Sequence, residues 1–284
     1  MDWLYALPHK VKIIIAGNHD LTLHEGWYDD NFQRWHRNGK EDLKPILDML
    51  RGPEAQAARL VYLQDESHSF QTKRDGRTWT VYGSPWSPEF FNWAFNYERD
   101  KAEQYVGKYP RADILLTHGP PYNALDATRL REHVGCRALA ERLPLIRPRI
   151  HLFGHIHEAH GARVIDWDLQ AREAVPWNTP GQHAADAPEE IRTLDEDDTS
   201  LAVASVDGSL DAASCTFSNG AKAVSRAGTG AVKVDAAPDD FSTLGRTVIV
   251  NAANWPTGPR AWRDGANVPF GGIGFQPVIV DLKD

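Results

Sequence analysis

Lys12-Ile13-Ile14-Ile15-Ala16-Gly17-Asn18-His19-Asp20 begins as an apolar run and ends in a burst of polar chemistry. Residues 11–16 read as a buried strand, and Gly17-Asn18 breaks it into a loop. That loop offers an amide, an imidazole and a carboxylate at consecutive positions. In open α/β sheets the ligand crevice forms outside the carboxyl ends of the strands, which is where these groups fall. The same grammar returns twice: Thr117-His118-Gly119-Pro120-Pro121 follows the run Asp113-Ile114-Leu115-Leu116, and Gly154-His155-Ile156-His157 follows Ile150-His151-Leu152-Phe153.

The rest of the chain fits an α/β layered fold around these three loops. Residues 2–9 read as the end of a helix stopped at Pro8, and residues 32–51 carry Leu43, Ile46, Leu47 and Leu50 on one helical face. Leu60–Leu63 and Thr78–Tyr82 read as strands joined through a hairpin turn at Lys73-Arg74-Asp75-Gly76-Arg77. Residues 128–143 read as a helix, 148–153 as the strand delivering Gly154-His155, and 162–169 as the start of another strand. Thr247–Asn251 and Pro277–Leu282 complete the set.

With 284 residues the chain can bury a sizeable core. Its net charge of −8 provides no clustered basic surface for nucleic acid or an anionic membrane. Its apolar runs are far shorter than the roughly 20 residues of a membrane helix, and residues 1–3 lack a basic leader. Cys136 and Cys215 do not suggest a disulfide framework. A soluble, cytoplasmic protein is expected. Residues 178–246 differ from the remainder: they hold twelve acidic and five basic residues and no Trp or Tyr. Such a stretch buries too little apolar area to offset roughly 1–2 kcal/mol per ordered residue, so it reads as a disordered insertion with short strands at most, lying away from the site. The core is then discontinuous, 1–177 and 247–284.

A histidine in a loop is usually an ordinary side chain, and an Asn after Gly is usually a turn residue. Three such loops at strand ends change the odds, because strand ends in one sheet converge. Imidazole, amide oxygen and carboxylate together suit Mn, Fe, Zn or Ni. Period two puts His155 and His157 on the same side of an extended chain.

Gly-Asn-His-Asp, then Thr-His-Gly-Pro-Pro, then Gly-His-Ile-His, in that order, resembles the calcineurin-like metallophosphoesterase superfamily. Tyr62–Ser67, Tyr82-Gly83-Ser84-Pro85-Trp86, Trp93-Ala94-Phe95-Asn96 and Gly154–Glu158 resemble its small metallophosphoesterase-domain branch, related to cyclic-nucleotide phosphodiesterases. The resemblance implies a sandwich of two stacked mixed sheets flanked by helices, and a two-metal hydrolase of phosphodiesters or phosphomonoesters. It implies that Asn18, His118 and His155 hold one ion and that His157 belongs to the other. His19 becomes the general acid or a stabiliser of phosphate oxygen, while Asp20 orients the loop or His19, or caps a helix. Its substrate is a small phosphate ester, with nucleotides among the candidates.

The family also carries an Asp-x-His motif on its first strand and a Gly-Asp motif on the next, which supply the first ion's ligands and the bridging carboxylate. Neither motif occurs in this sequence. The expectation is therefore an N-terminally incomplete sandwich holding at most one ion well. Two functions follow from it: a metal-dependent phosphoesterase, or a catalytically inactive interaction protein derived from that fold. Trp86, Phe90, Phe91 and Trp93 line a base or aryl pocket or, as the favoured reading, simply pack. Arg99 is a candidate phosphate contact, and His160 either supports the His157 loop or is exposed.

Overall fold

The computed structural model describes residues 1–167, 215–216, 222–223, 232–236, 245–253, 261–263, 266–268 and 278–282. Most of the 178–246 stretch thus lies outside the described residues. Helix α1 (Asp2–Tyr5) precedes strand β1 (Lys12–Ile15), and α2 (Glu25–Trp35), α3 (Leu43–Arg51) and α4 (Pro53–Ala57) lead to β2 (Leu60–Leu63). Then come β3 (Glu66–Gln71), β4 (Thr78–Ser84), the two-residue strands β5 (Ser87–Pro88) and β6 (Asn96–Tyr97), α5 (Ala102–Val106) and β7 (Ile114–Thr117). Helix α6 (Arg137–Ile146) is followed by β8 (Ile150–Phe153) and β9 (Gly161–Asp166). The remaining strands are β10 (Cys215–Thr216), β11 (Lys222–Ala223), β12 (Val232–Ala236), β13 (Arg246–Asn251), β14 (Ala261–Arg263), β15 (Ala266–Val268) and β16 (Val278–Leu282).

Six strands form one mixed sheet in the order β3-β4-β7-β8-β13-β9. The inner neighbours β4, β7, β8 and β13 run parallel, and the outer strands β3 and β9 are antiparallel to theirs. Parallel strands covered on both faces read as continuous apolar runs, which is why Ile114-Leu115-Leu116 and Val248-Ile249-Val250 lack alternation. The edge strand β3, Glu66-Ser67-His68-Ser69-Phe70-Gln71, alternates half-buried and exposed positions instead. A second, parallel pair, β1 and β2, aligns Lys12–Ile15 with Leu60–Leu63. It lies against β4 at Gly83, where a Cβ would stand 2.6 Å from Leu63 Cβ and 2.7 Å from Ile15 Cγ2. Neither contact is a flexible chain end. Gly83→Ala is expected to lower the urea midpoint by an amount worth about 1–3 kcal/mol with an unchanged m-value, and an unchanged midpoint would refute this packing.

The opposite face of the main sheet carries the larger core, where Tyr82, Leu115, Phe153 and Ile249 meet Val106 of α5 and Leu139, Leu143 and Ile146 of α6. A second cluster joins Ala16, Leu21, Tyr28, Leu50 and Tyr62 to Ala94 and Phe95. Among the described residues no helix is long and apolar enough to cross a membrane.

Three sequence expectations need correction. The 32–51 helix is broken between Trp35 and Leu43. Asp42 Oδ1 accepts from Lys44 N at 3.0 Å to start α3, and the Tyr28 hydroxyl holds the intervening turn through Glu41 N and His36 Nδ1. The hairpin partner of β4 is β3 rather than Leu60–Leu63, because Asp65, at φ 56°, turns the chain out of β2 and away from β1. Residues 128–136 are loop, and the helix starts at Arg137. Asp126, fully buried, collects Asn123 N at 3.0 Å, Gly135 N at 2.9 Å and His133 Nδ1 at 2.6 Å, so the segment closes on a carboxylate instead of winding.

Candidate functional site

The carboxyl ends of β1, β7 and β8 deliver Asn18, His118 and His155; the one shared sheet expected from the sequence is corrected, since β1 pairs only with β2 and lies apart from the sheet of β7 and β8. Asn18 and His118, a hundred residues apart in sequence, meet at 2.8 Å between Oδ1 and Nε2. The His118 and His155 ring centroids are 4.6 Å apart. Gly17 permits this approach, since a Cβ there would stand 2.6 Å from His118 Cε1 and 2.7 Å from its Nδ1. His155 occupies φ 69°, a conformation that side-chain-bearing residues adopt rarely and that clusters at functional sites.

The expected alternation of His155 and His157 along a strand does not occur. β8 ends at Phe153, and His157 begins the short 3-10 helix His157–Ala159. The left-handed turn at His155 replaces strand periodicity. His157 still lies within electrostatic reach of both His118 and His155.

Burial holds the paired imidazoles neutral. His118 is pushed well below the ordinary histidine range, first by desolvation and then by His155, His19 and His157. Desolvation, with His157 and His19 behind it, brings His155 down to about 4. A neutral imidazole is the form that ligates metal. Asp20 has its carboxyl raised by burial, against the pull of a hydrogen bond from Gly17 N at 2.7 Å. That bond ties Asp20 to its own loop, the orienting role among those the sequence leaves open.

Two residues beneath the site escape the sequence reading. His151, completely buried, meets Thr117 Oγ1 at 2.8 Å, and that hydroxyl in turn donates to Gly119 O at 2.8 Å. The hydroxyl proton being committed to Gly119, His151 donates from Nε2 and leaves Nδ1 buried without a partner. This fixes the base of the His118-Gly119 turn. Asn251, at the end of β13, donates to Ile156 O at 2.7 Å and Leu125 O at 3.0 Å, clamping the loop that carries His155 and His157. The signal was the polar residue after Thr247-Val248-Ile249-Val250, the same strand-then-polar pattern as at Asn18.

The aromatic segment divides. Trp86 and Trp93 are half-buried against the cores, as packing predicts, whereas Phe90 and Phe91 are 56% and 70% exposed. His19 stacks on Trp93 at 4.1 Å between centroids, and Trp93 on Trp35 at 4.0 Å. Arg99 holds the backbone of the 134–135 turn, donating to Gly135 O at 3.2 Å and Val134 O at 2.9 Å. His160 is buried.

Among the described residues no three His, Cys, Asp or Glu side chains converge as a metal-holding group. A bridged pair of ions therefore does not fit the described residues. A single ion fits better: Asn18 Oδ1 and His118 Nε2 already point at one another, and His155 is adjacent and neutral.

A sequence profile of calcineurin-like phosphoesterases matches residues 2–159. Human Metallophosphoesterase domain-containing protein 1 is 36% identical over 166 residues, covering 56% of this chain and 48% of that protein. UPF0046 protein T07D4.2 of Caenorhabditis elegans is 32% identical over 171 residues, 55% of this chain and 40% of that one. Probable rhamnogalacturonate lyase C of Emericella nidulans is 36% identical over 177 residues, 61% of this chain but 15% of that protein. The chain thus spans about half the length, or less, of these curated relatives.

Proposed function

Because the chain belongs to the calcineurin-like phosphoesterase family, we propose that it hydrolyses a phosphate ester, monoester or diester, at the crevice formed by the Asn18, His118 and His155 loops. The observation that carries this reading is the 2.8 Å meeting of Asn18 Oδ1 with His118 Nε2, beside His155, at the ends of strands from distant parts of the chain. Phosphoesterases of this family generally use divalent metals. Asn18, His118 and His155 would hold one ion, with His157 at its side; Mn, Fe, Zn and Ni all suit such donors. A bound ion supplies Lewis-acid polarisation of a phosphoryl oxygen and a water of lowered pKa. The chain's own groups do the rest. Asp20 holds the Gly17–Asp20 turn closed, and His19, oriented by Trp93, donates its proton to the departing ester oxygen.

The same Asn18–His118 hydrogen bond favours a second reading, in which the two donors satisfy each other and the protein binds partners without turnover. Manganese-stimulated hydrolysis of bis(4-nitrophenyl) phosphate separates the two. The full chain is expected to show it, His19→Ala to lower it about 10²–10⁴-fold while retaining manganese, and His118→Ala to lose manganese binding in calorimetry. Turnover unaffected by both substitutions would overturn the assignment. Absence of both manganese binding and turnover would support the second reading.

A further inference from the structure

We propose that the loop between β5 and β6, residues 89–95, is the platform for the alcohol portion of the ester, and that it selects a planar apolar group there. The proposal rests on His19 being the proton donor to the leaving oxygen, since that places the departing alcohol beside His19. Trp93 of this loop stacks on the His19 ring at 4.1 Å. Phe91 and Phe90 precede Trp93 by two and three residues, so their backbones lie within about 7 Å and 11 Å of it even if fully extended. Both rings stand out from the surface, packed edge-to-face on one another at 4.4 Å, 56% and 70% exposed.

The exposure is built, since the loop is held by an unusual number of fastenings. Phe91, Asn92 and Phe95 all take left-handed backbone, at φ 52°, 50° and 51°. For a bulky residue this costs of order 1–3 kcal/mol and persists only where surroundings impose it. Here they do. Asn96 Oδ1 accepts from Phe90 N at 3.3 Å and Trp93 N at 3.1 Å, and its Nδ2 donates to Ser87 Oγ at 3.1 Å. Asn92 Oδ1 accepts from Trp27 Nε1 at 3.2 Å, and Phe95 N donates to His24 Nδ1 at 3.0 Å. Ala94 and Phe95 are completely buried in the second core. Residues of one chemical type thus face opposite ways in one fastened loop: Phe95 inward, Phe90 and Phe91 outward, in the loop that also stacks on His19. Two exposed rings offer an aromatic group both an edge and a face, the arrangement such pairs prefer.

The test uses non-hydrolysable phosphonates on the full chain with manganese, followed by tryptophan fluorescence. Benzylphosphonate, in which a CH2 group replaces the leaving oxygen of phenyl phosphate, is expected to bind about 10-fold more tightly than ethylphosphonate, the matching mimic of methyl phosphate. Phe90→Ala combined with Phe91→Gly is expected to bring the two within about 2-fold, by weakening benzylphosphonate and not ethylphosphonate. Glycine at 91 accepts the left-handed backbone without strain, so the loop survives. An aryl preference absent from the native protein, or intact in the double variant, overturns the proposal, as does failure to bind either compound. A change of sedimentation with no change of preference also overturns it, by assigning the rings to self-association. Binding preference without turnover of any ester would support the platform while failing the hydrolase reading, so the two are separable.

Discussion

Gly17→Ala is expected to remove manganese binding and at least about 10²-fold of any hydrolytic rate, a loss out of proportion to one methyl group. The new Cβ would lie 2.6 Å from Cε1 and 2.7 Å from Nδ1 of His118. Real Cβ atoms do not approach rings so closely, so the half-buried His118 ring must shift by most of an ångström or the strand end must. Either movement breaks the 2.8 Å contact with Asn18. A displacement of about 1 Å at a reacting centre is enough for about 10²-fold, and overpacking adds about 1–3 kcal/mol of destabilisation. Gly154 is the contrast. It also precedes a site residue, but a Cβ there meets nothing nearer than Ala253 N at 3.8 Å, so Gly154→Ala should leave the melting temperature close to native. Calorimetric titration of manganese and a thermal melt on both variants check the pair. Native manganese affinity in Gly17→Ala would refute the geometry.

The second large effect is a loss of stability in mild acid. His118, His151 and His155 are each held neutral by burial, His155 at about 4 and His151 at about 3. Their unfolded values are near 6.5, so below that pH the unfolded chain binds protons the native protein refuses. The sign follows: stability is fully present above about pH 6.5 and falls as the pH drops toward 4 and then 3. Each group contributes roughly 1.4 kcal/mol per pH unit inside that window, so His151 and His155 together remove roughly 2.5 kcal/mol per unit near pH 5, and His118 acts in the same direction. Asp20, whose carboxyl is raised by burial, opposes this at the acid end. Urea midpoints in chelator at pH 7.5 and pH 5 measure the effect, and His151→Gln should flatten the slope by about a third. Equal midpoints at the two pH values would show that these histidines are solvated.

How much of this was readable in the sequence depended on the range of the forces involved. The strands at Ile13-Ile14-Ile15, Ile114-Leu115-Leu116 and Val248-Ile249-Val250 were legible because burial on both faces demands unbroken apolar runs. The convergence of His118 and His155 was legible because the ends of adjacent parallel strands lie side by side, whereas Asn18 reaches them from a separate two-stranded sheet packed on the first, which no strand pattern reveals. Failures came where one polar side chain outvoted a periodic pattern. Asp126 kept residues 128–136 from winding, and Asp65 redirected the chain so that β4 found β3. His151 looked like any residue of a buried strand, since nothing local marks a histidine as the partner of a threonine on the next strand. The two equivalent-looking glycines, Gly17 and Gly154, differ only through the third dimension. Arg99 drew attention by its charge alone, and its actual partners, the carbonyls of Val134 and Gly135, are invisible at the level of residue type.

The place of β13 in the sheet has a consequence for the order in which the protein is made. It lies between β8 and β9, which are neighbours in sequence, yet it begins eighty residues after β9 ends. A ribosome adding about 5–20 residues per second needs about 5–20 s to travel from Phe153 to Asn251. During that interval β8 and β9 each present an open edge that nothing synthesised so far can cover, and such edges invite association with other chains. Asn251, the last residue of β13, is also the clamp on the loop bearing His155 and His157. Closure of the sheet and organisation of the crevice are therefore one late event on the nascent chain, and a helper protein that shields β8 would act in the seconds before residue 251 emerges.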